Sequence, residues 1–151
     1  MDFRGKKFVV CGGAGLIGSH TVDQLVKTDA AEILIYDNFV RGRRDNLAGA
    51  LKDPRVRVYD VGGDILQTDV LRSAFEGAAG VFHFAALWLL QCHDYPRSAF
   101  DVNVRGTFNV LEACVAARIK RLVYSSSASV YGDAVSEPMD EDHPFNNKNF
   151  Y

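Results

Sequence analysis

The sequence predicts a doubly wound parallel α/β sheet on three observations. Short β-branched runs alternate with longer segments of helical spacing, the strand runs are apolar throughout, and the first strand runs into a glycine-rich turn. Strands apolar on both sides belong in a parallel sheet covered by helices on both faces. Right-handed crossovers between such strands wind the sheet in two directions. Residues 7–11 (KFVVC) read as the first strand, closed by Gly12 and Gly13. From Leu16 the spacing of Ile17, Val22, Leu25 and Val26 becomes helical. Residues 32–36 (EILIY) form the second strand, ahead of a polar loop rich in Arg and Asn, and residues 56–59 form the third. A short helix fits 69–75, a fourth strand 80–85, and a fifth strand 121–124. Between the last two, Phe100, Val104, Phe108, Leu111 and Val115 mark one face of a long helix.

Composition narrows the function. A chain of 151 residues with 48% hydrophobic content supports one ordinary core. Its 17 Lys and Arg against 19 Asp and Glu leave a net charge of −2, with no basic run, which argues against nucleic acid or an anionic membrane as partner. The apolar stretches are strand-length, so no transmembrane helix is expected. Three scattered cysteines and four dispersed histidines give neither a disulfide framework nor a metal site. A cytoplasmic protein is the expectation. Residues 133–151 are polar, carry Pro138 and Pro144, and read as one long connecting loop. A chain rarely stops on such a loop. The expected division is therefore one domain over 1–132, a loop over 133–151 and a further part beyond 151.

The first strand ends in Gly12-Gly13-Ala14-Gly15-Leu16-Ile17-Gly18, which satisfies both GxxGxxG and GxGxxG. Glycine permits a tight turn, lets backbone approach a ligand and lets the helix pack closely on the strand. The free N–H groups at the start of the helix then suit a pyrophosphate. Asp37 closes the second strand nineteen residues past Gly18, where a carboxylate accepts hydrogen bonds from a ribose diol. Its charge disfavours a 2′-phosphate, which points to NAD over NADP, although Arg41, Arg43 and Arg44 would reverse that preference if they folded back. The mononucleotide pattern GxxxxGK[ST] is absent.

Further motifs follow in order: Tyr36-Asp37-Asn38, Asp64-Ile65, His83-Phe84-Ala85-Ala86, residues 103–107 (NVRGT) and residues 125–132 (SSSASVYG). With the glycine turn, they make the chain resemble the extended short-chain dehydrogenase/reductase family, and within it the NAD-dependent nucleotide-sugar epimerase/dehydratase group. The resemblance implies a Rossmann fold seen in its N-terminal portion, a C-terminal substrate-binding part outside this chain, and a homodimer through the long helices. It implies that Gly12, Gly15, Leu16, Ile17 and Gly18 approach the pyrophosphate, that Asp37 and Asn38 hold the adenosine ribose, and that Asp64 and Ile65 meet the adenine. Phe84, Ala85 and Ala86 would line the cofactor trough, with Asn103 hydrogen-bonding near the cofactor. In this family a Ser or Thr after the fifth strand assists a Tyr that a Lys follows four residues on. Ser127 fits the first role and Tyr151 the second, 24 residues apart; the matching Lys would fall at position 155. His83 reads as a satisfied strand histidine.

The implied activity is nucleotide-sugar 4-epimerisation: oxidation at C4, rotation of the keto sugar and return of hydride to its other face. Two departures bear on this. Trp88 stands where epimerases of the group carry Lys. Ala128 and Ser129 stand where the 4,6-dehydratases place Asp and Glu, and Ala can neither remove a C5 proton nor protonate a leaving C6 hydroxyl. The open alternatives are another NAD(P)-dependent short-chain dehydrogenase or nucleotide-sugar dehydratase, and a non-catalytic dinucleotide sensor. The 151 residues by themselves are expected to be inactive.

Overall fold

The computed structural model describes residues 2–148, 150 and 151. Five strands, β1 (Lys7–Cys11), β2 (Glu32–Tyr36), β3 (Val56–Val58), β4 (Ala78–His83) and β5 (Arg121–Tyr124), form one sheet in the order β3-β2-β1-β4-β5, with every pair parallel. The order reverses at β1, so the crossovers leave in opposite directions on its two sides and open a crevice at its C-terminal end. The expected strand positions hold within two residues. β4 begins earlier than its β-branched run because Ala78 pairs with Lys7, across a register shift between Lys7 and Phe8. Phe84 and Tyr59 lie just past their strands, yet their N–H groups still donate to Cys11 O (2.8 Å) and Ile35 O (2.9 Å).

Side chains alternate across a strand, and here the alternation sorts the core into two layers. Val9, Cys11, Leu34, Tyr36 and Val81 point to one face, beneath α2 (Thr68–Phe75) and α5 (Thr107–Ala116). Phe8, Val10, Ile33 and Ile35 point to the other, beneath α1 (Leu16–Val26) and the 3-10 turns that bury Leu47 and Ala50. Between β4 and α5 the chain makes two short helices, α3 (Leu89–Asp94) and α4 (Pro96–Ala99), and a π-helical segment over Phe100–Gly106. Pro96 sits at the first turn of α4, where a missing N–H costs nothing. Residues 133–148 contain no helix or strand.

The C-terminal end of α1 is held by two side chains, with Thr28 Oγ1 donating to Leu25 O (2.7 Å). Arg55 donates from Nη2 to Val26 O (2.7 Å) and from Nη1 to Thr28 O (2.8 Å) and Ala30 O (3.0 Å). Asp53 pairs with the same guanidinium at 2.7 Å, and these hydrogen bonds hold its carboxyl down at about 2.

The apolar face of the long helix does not enter the core. Phe100, Val104, Phe108, Leu111 and Val115 are all exposed, Val115 by 79%. The side that meets the sheet carries Gly106, Val110, Ala113 and Cys114. A Cβ at Gly106 would stand 2.6 Å from Ile65 Cδ1, so bulk on that side is excluded. No helix is long and apolar enough to cross a membrane, and no group of three or more His, Cys, Asp and Glu able to hold a metal ion occurs, among the described residues.

Candidate active site

The crevice at β1 is built by close backbone packing. A Cβ on Gly18 would lie 2.1 Å from Gly12 O, and one on Gly12 would lie 2.7 Å from Ala85 N, so the turn is pressed between α1 and the exit of β4. Gly12 also takes a positive φ of 78°. Gly15 is the N-cap of α1 and brings no capping side chain, and the first turn holds no acidic residue. The opening N–H groups of a helix lack intrahelical partners, so this end presents bare donors and a positive dipole. Leu16 and Ile17 flank it with 75% and 58% of their surface exposed. Donors without a cap beside exposed apolar side chains fit the phosphates and sugar of a dinucleotide.

Asp37 is buried to 9% exposure and is already at work within the fold. Oδ2 accepts from Ala14 N at 2.8 Å and Oδ1 from Phe39 N at 2.8 Å. The first bond fixes the glycine turn against the end of β2. Each carboxylate oxygen has a second lone pair, so the residue can hold the turn and still accept a ribose hydroxyl. Asn38 beside it is exposed, its Oδ1 accepting from Val40 N. No arginine forms an ion pair with Asp37 among the described residues. The Arg44 guanidinium lies 4.8 Å from the Phe39 ring centroid and that of Arg41 lies 5.0 Å from the Trp88 ring, while Arg43 N donates to Ala14 O.

On the far side of β2, Asp64 accepts Leu66 N on Oδ1 and Tyr36 Oη on its backbone oxygen. Ile65 is buried to 3% in the layer beneath α2 and α5, and Asn109 Nδ2 donates to its carbonyl. Phe84 and Ala85 are half-buried and Ala86 is exposed after β4. Asn103 grips the loop that follows: Oδ1 accepts Leu87 N (2.8 Å), and Nδ2 donates to Leu87 O (3.0 Å) and Phe150 O (3.0 Å). The residue before Tyr151 is thereby tied to Asn103, and the Phe150 ring meets Phe100 edge-on at 5.6 Å. Ser127 caps the 3-10 turn over Ala128–Tyr131, its Oγ accepting Ser129 N at 3.2 Å. Residues 133–148 fold back on that turn: Tyr131 stacks on Phe145, and Asn146 N donates to Val130 O.

His83 is a strand residue packed on Tyr124, with Nε2 hydrogen-bonded to Thr107 Oγ1 at 3.1 Å. Its Nδ1 is buried without a partner, and desolvation pulls its pKa down to about 4. It faces the sheet–helix layer rather than the trough. Burial likewise raises the Cys11 and Cys114 thiols, the latter to about 11, so both stay protonated at neutral pH. Two glycines of the site escaped the sequence reading. A Cβ on Gly63 would fall 2.2 Å from the Asp37 backbone, and one on Gly42 would meet Ala14 Cβ at 2.6 Å. The Gly62-Gly63 pair ahead of Asp64 was the available signal for the first.

A family model described as 3-beta hydroxysteroid dehydrogenase/isomerase matches residues 9–149. The chain belongs to that family. A UDP-glucose 4-epimerase of Lactobacillus helveticus is 38% identical over 96% of this chain and 42% of its own length. The crystal structure of UDP-glucose 4-epimerase from Brucella ovis in complex with NAD superposes with a TM-score of 0.84 at 31% identity, covering 97% of this chain and 43% of that one. DesIV, a dTDP-glucose 4,6-dehydratase of Streptomyces venezuelae with NAD bound, gives a TM-score of 0.88 at 34% identity, covering 96% and 47%. The chain thus spans under half the length of these relatives. The resemblance to the extended short-chain dehydrogenase/reductase family and the predicted parallel α/β fold are both correct.

Proposed function

We propose that the intact protein is an NAD-dependent nucleotide-sugar 4-epimerase, of which residues 1–132 form the NAD-binding domain and 133–151 the loop to the active tyrosine. A substrate-binding part follows beyond residue 151. The observation that carries this reading is the bare, uncapped start of α1 joined to Asp37 by the Ala14 hydrogen bond, in a chain 38% identical to a UDP-glucose 4-epimerase. The exposed face of β5, with Tyr124 57% accessible, and the partial coverage of the relatives favour a longer chain.

Bound NAD would supply the redox capacity, taking hydride from the sugar carbon and giving it back. The chain's own residues do the rest. The glycine turn and the N–H groups opening α1, flanked by Leu16 and Ile17, hold the pyrophosphate, and Asp37 and Asn38 the adenosine ribose. Asp64 and Ile65 border the adenine, and Phe84, Ala85 and Ala86 line the trough. Asn103 fixes the loop beside it. Ser127 donates a hydrogen bond to the C4 oxygen while Tyr151 accepts its proton. A free phenol, with pKa about 10, needs a neighbouring cation to do this near neutrality, the role assigned to a lysine at position 155. Ala128 and Ser129 leave the neighbourhood of Ser127 without the carboxyl groups that sugar dehydration requires, which favours epimerisation over the reaction of DesIV.

The exposed stripe from Phe100 to Val115 supports a homodimer through this helix, and the lack of a membrane-crossing helix among the described residues is compatible with a cytoplasmic enzyme. The test of the assignment is Tyr151→Phe in the intact protein, with interconversion of UDP-sugars followed. Loss of a proton acceptor costs roughly 100- to 10,000-fold in rate. Turnover at the wild-type rate refutes the role of Tyr151, and cofactor binding without turnover by wild type points to the sensor reading.

A further inference from the structure

We infer that Arg41 and Trp88 form a clasp across the cofactor trough that slows release of the dinucleotide; this rests on the trough being the NAD site proposed above. The two residues are 47 positions apart in sequence and come from loops after different strands, β2 and β4, which flank β1 in the sheet. Each half of the clasp is stationed by the fold. Next to Arg41, Gly42 lies against Ala14 and Asp37, Arg43 N donates to Ala14 O (3.1 Å), and Asn46 Nδ2 donates to the same oxygen (2.8 Å). Next to Trp88, both backbone polar groups of Leu87 are bonded to the Asn103 amide. One loop is thus pinned to the glycine turn itself and the other to the helix beyond β4. The Arg41 guanidinium, 5.0 Å from the Trp88 ring centroid, joins the two loops on either side of β1.

The contact suits a removable closure. Trp88 is 39% exposed and Arg41 is exposed, so the pair can part without disturbing the core. A guanidinium held over a ring retains its in-plane N–H donors, so Arg41 can rest on Trp88 and still offer a cation to a bound phosphate. A dinucleotide lying along the crevice then passes beneath the pair, and its departure requires the contact to open.

The experiment uses the intact protein loaded with the fluorescent analogue 1,N6-etheno-NAD, displaced by excess NAD in a stopped-flow instrument. Arg41→Gln, Trp88→Ala and the double variant are compared with wild type. A cation–π contact of this exposure is worth about 1 kcal/mol, or roughly fivefold. Each single variant is expected to release the analogue about five times faster, and the double variant no faster than the quicker single. Wild-type release rates in either single variant, or effects that multiply in the double, overturn the clasp. Wild type that fails to bind the analogue at all refutes the NAD reading itself, a separate outcome.

Discussion

His83 makes the stability of this fold fall on mild acidification. The ring is 1% exposed, its Nδ1 has no partner, and burial holds the folded-state pKa near 4 against an ordinary 6.5. In the unfolded chain the imidazole takes up a proton as pH drops through 6.5, whereas the folded chain does not until about pH 4. The unfolded state therefore binds more protons across that window, and folding loses about 1.4 kcal/mol per pH unit there. The full loss between pH 6.5 and pH 4 approaches 3 kcal/mol, a large share of the 5–15 kcal/mol typical of a domain. Above pH 6.5 both states are neutral at this site and the effect vanishes. Replacing His83 with Gln keeps a polar group within reach of Thr107 and removes the titration. Urea unfolding followed by circular dichroism at pH 4, 5, 6 and 7 measures both proteins, and the other three histidines cancel in the difference. The advantage of wild type over His83→Gln should shrink by about 3 kcal/mol from pH 7 to pH 4. A difference that stays constant would mean that His83 accepts its proton inside the fold as easily as outside, and the desolvation argument would be wrong.

Two further perturbations probe the turn and the outer helix. Gly18→Ala drives a Cβ to 2.1 Å from Gly12 O, so the turn must shift; overpacking of this kind costs about 1–3 kcal/mol, and thermal unfolding together with NAD titration should show lower stability and weaker binding in the same variant. Phe108→Glu places a charge in the exposed apolar stripe, with Phe108 58% accessible in the single chain; if the intact protein is the proposed homodimer, light scattering should show a lower mass for the variant than for wild type, and an unchanged mass would remove this helix from the interface.

Much of the fold was legible because its strands are written twice, as β-branched runs and as alternating partners of two layers. Phe8 and Val10 serve one face, Val9 and Cys11 the other, so the run has no polar interruption. The long helix was harder. Periodicity finds a face without telling which way it points, and the large residues from Phe100 to Val115 lie outward because only Gly106, Val110, Ala113 and Cys114 fit the tight layer over Ile65. In the site, the glycine turn and Asp37 could be read from spacing, since both are set by local chain geometry. Gly42 could not, because what forbids a side chain there is the approach of Ala14 and Asp37 from elsewhere in the chain, and Gly63, pressed on the Asp37 backbone, had only the Gly62-Gly63 pair to mark it. The same holds for Arg41 and Trp88, whose meeting depends on the order of the strands.

The two ends of α1 differ electrically. A row of aligned peptide groups behaves as separated half-charges, and each end partly offsets the potential felt at the other. Here the carbonyl of Val26 at the C-terminal end, with those of Thr28 and Ala30 beyond it, meets a guanidinium whose own charge is balanced by Asp53. The positive pole at Gly15 keeps no compensating side chain. The ion pair near one end and the bare donors at the other leave the start of α1 as the end still open to a charged partner, and the charge it accepts is negative.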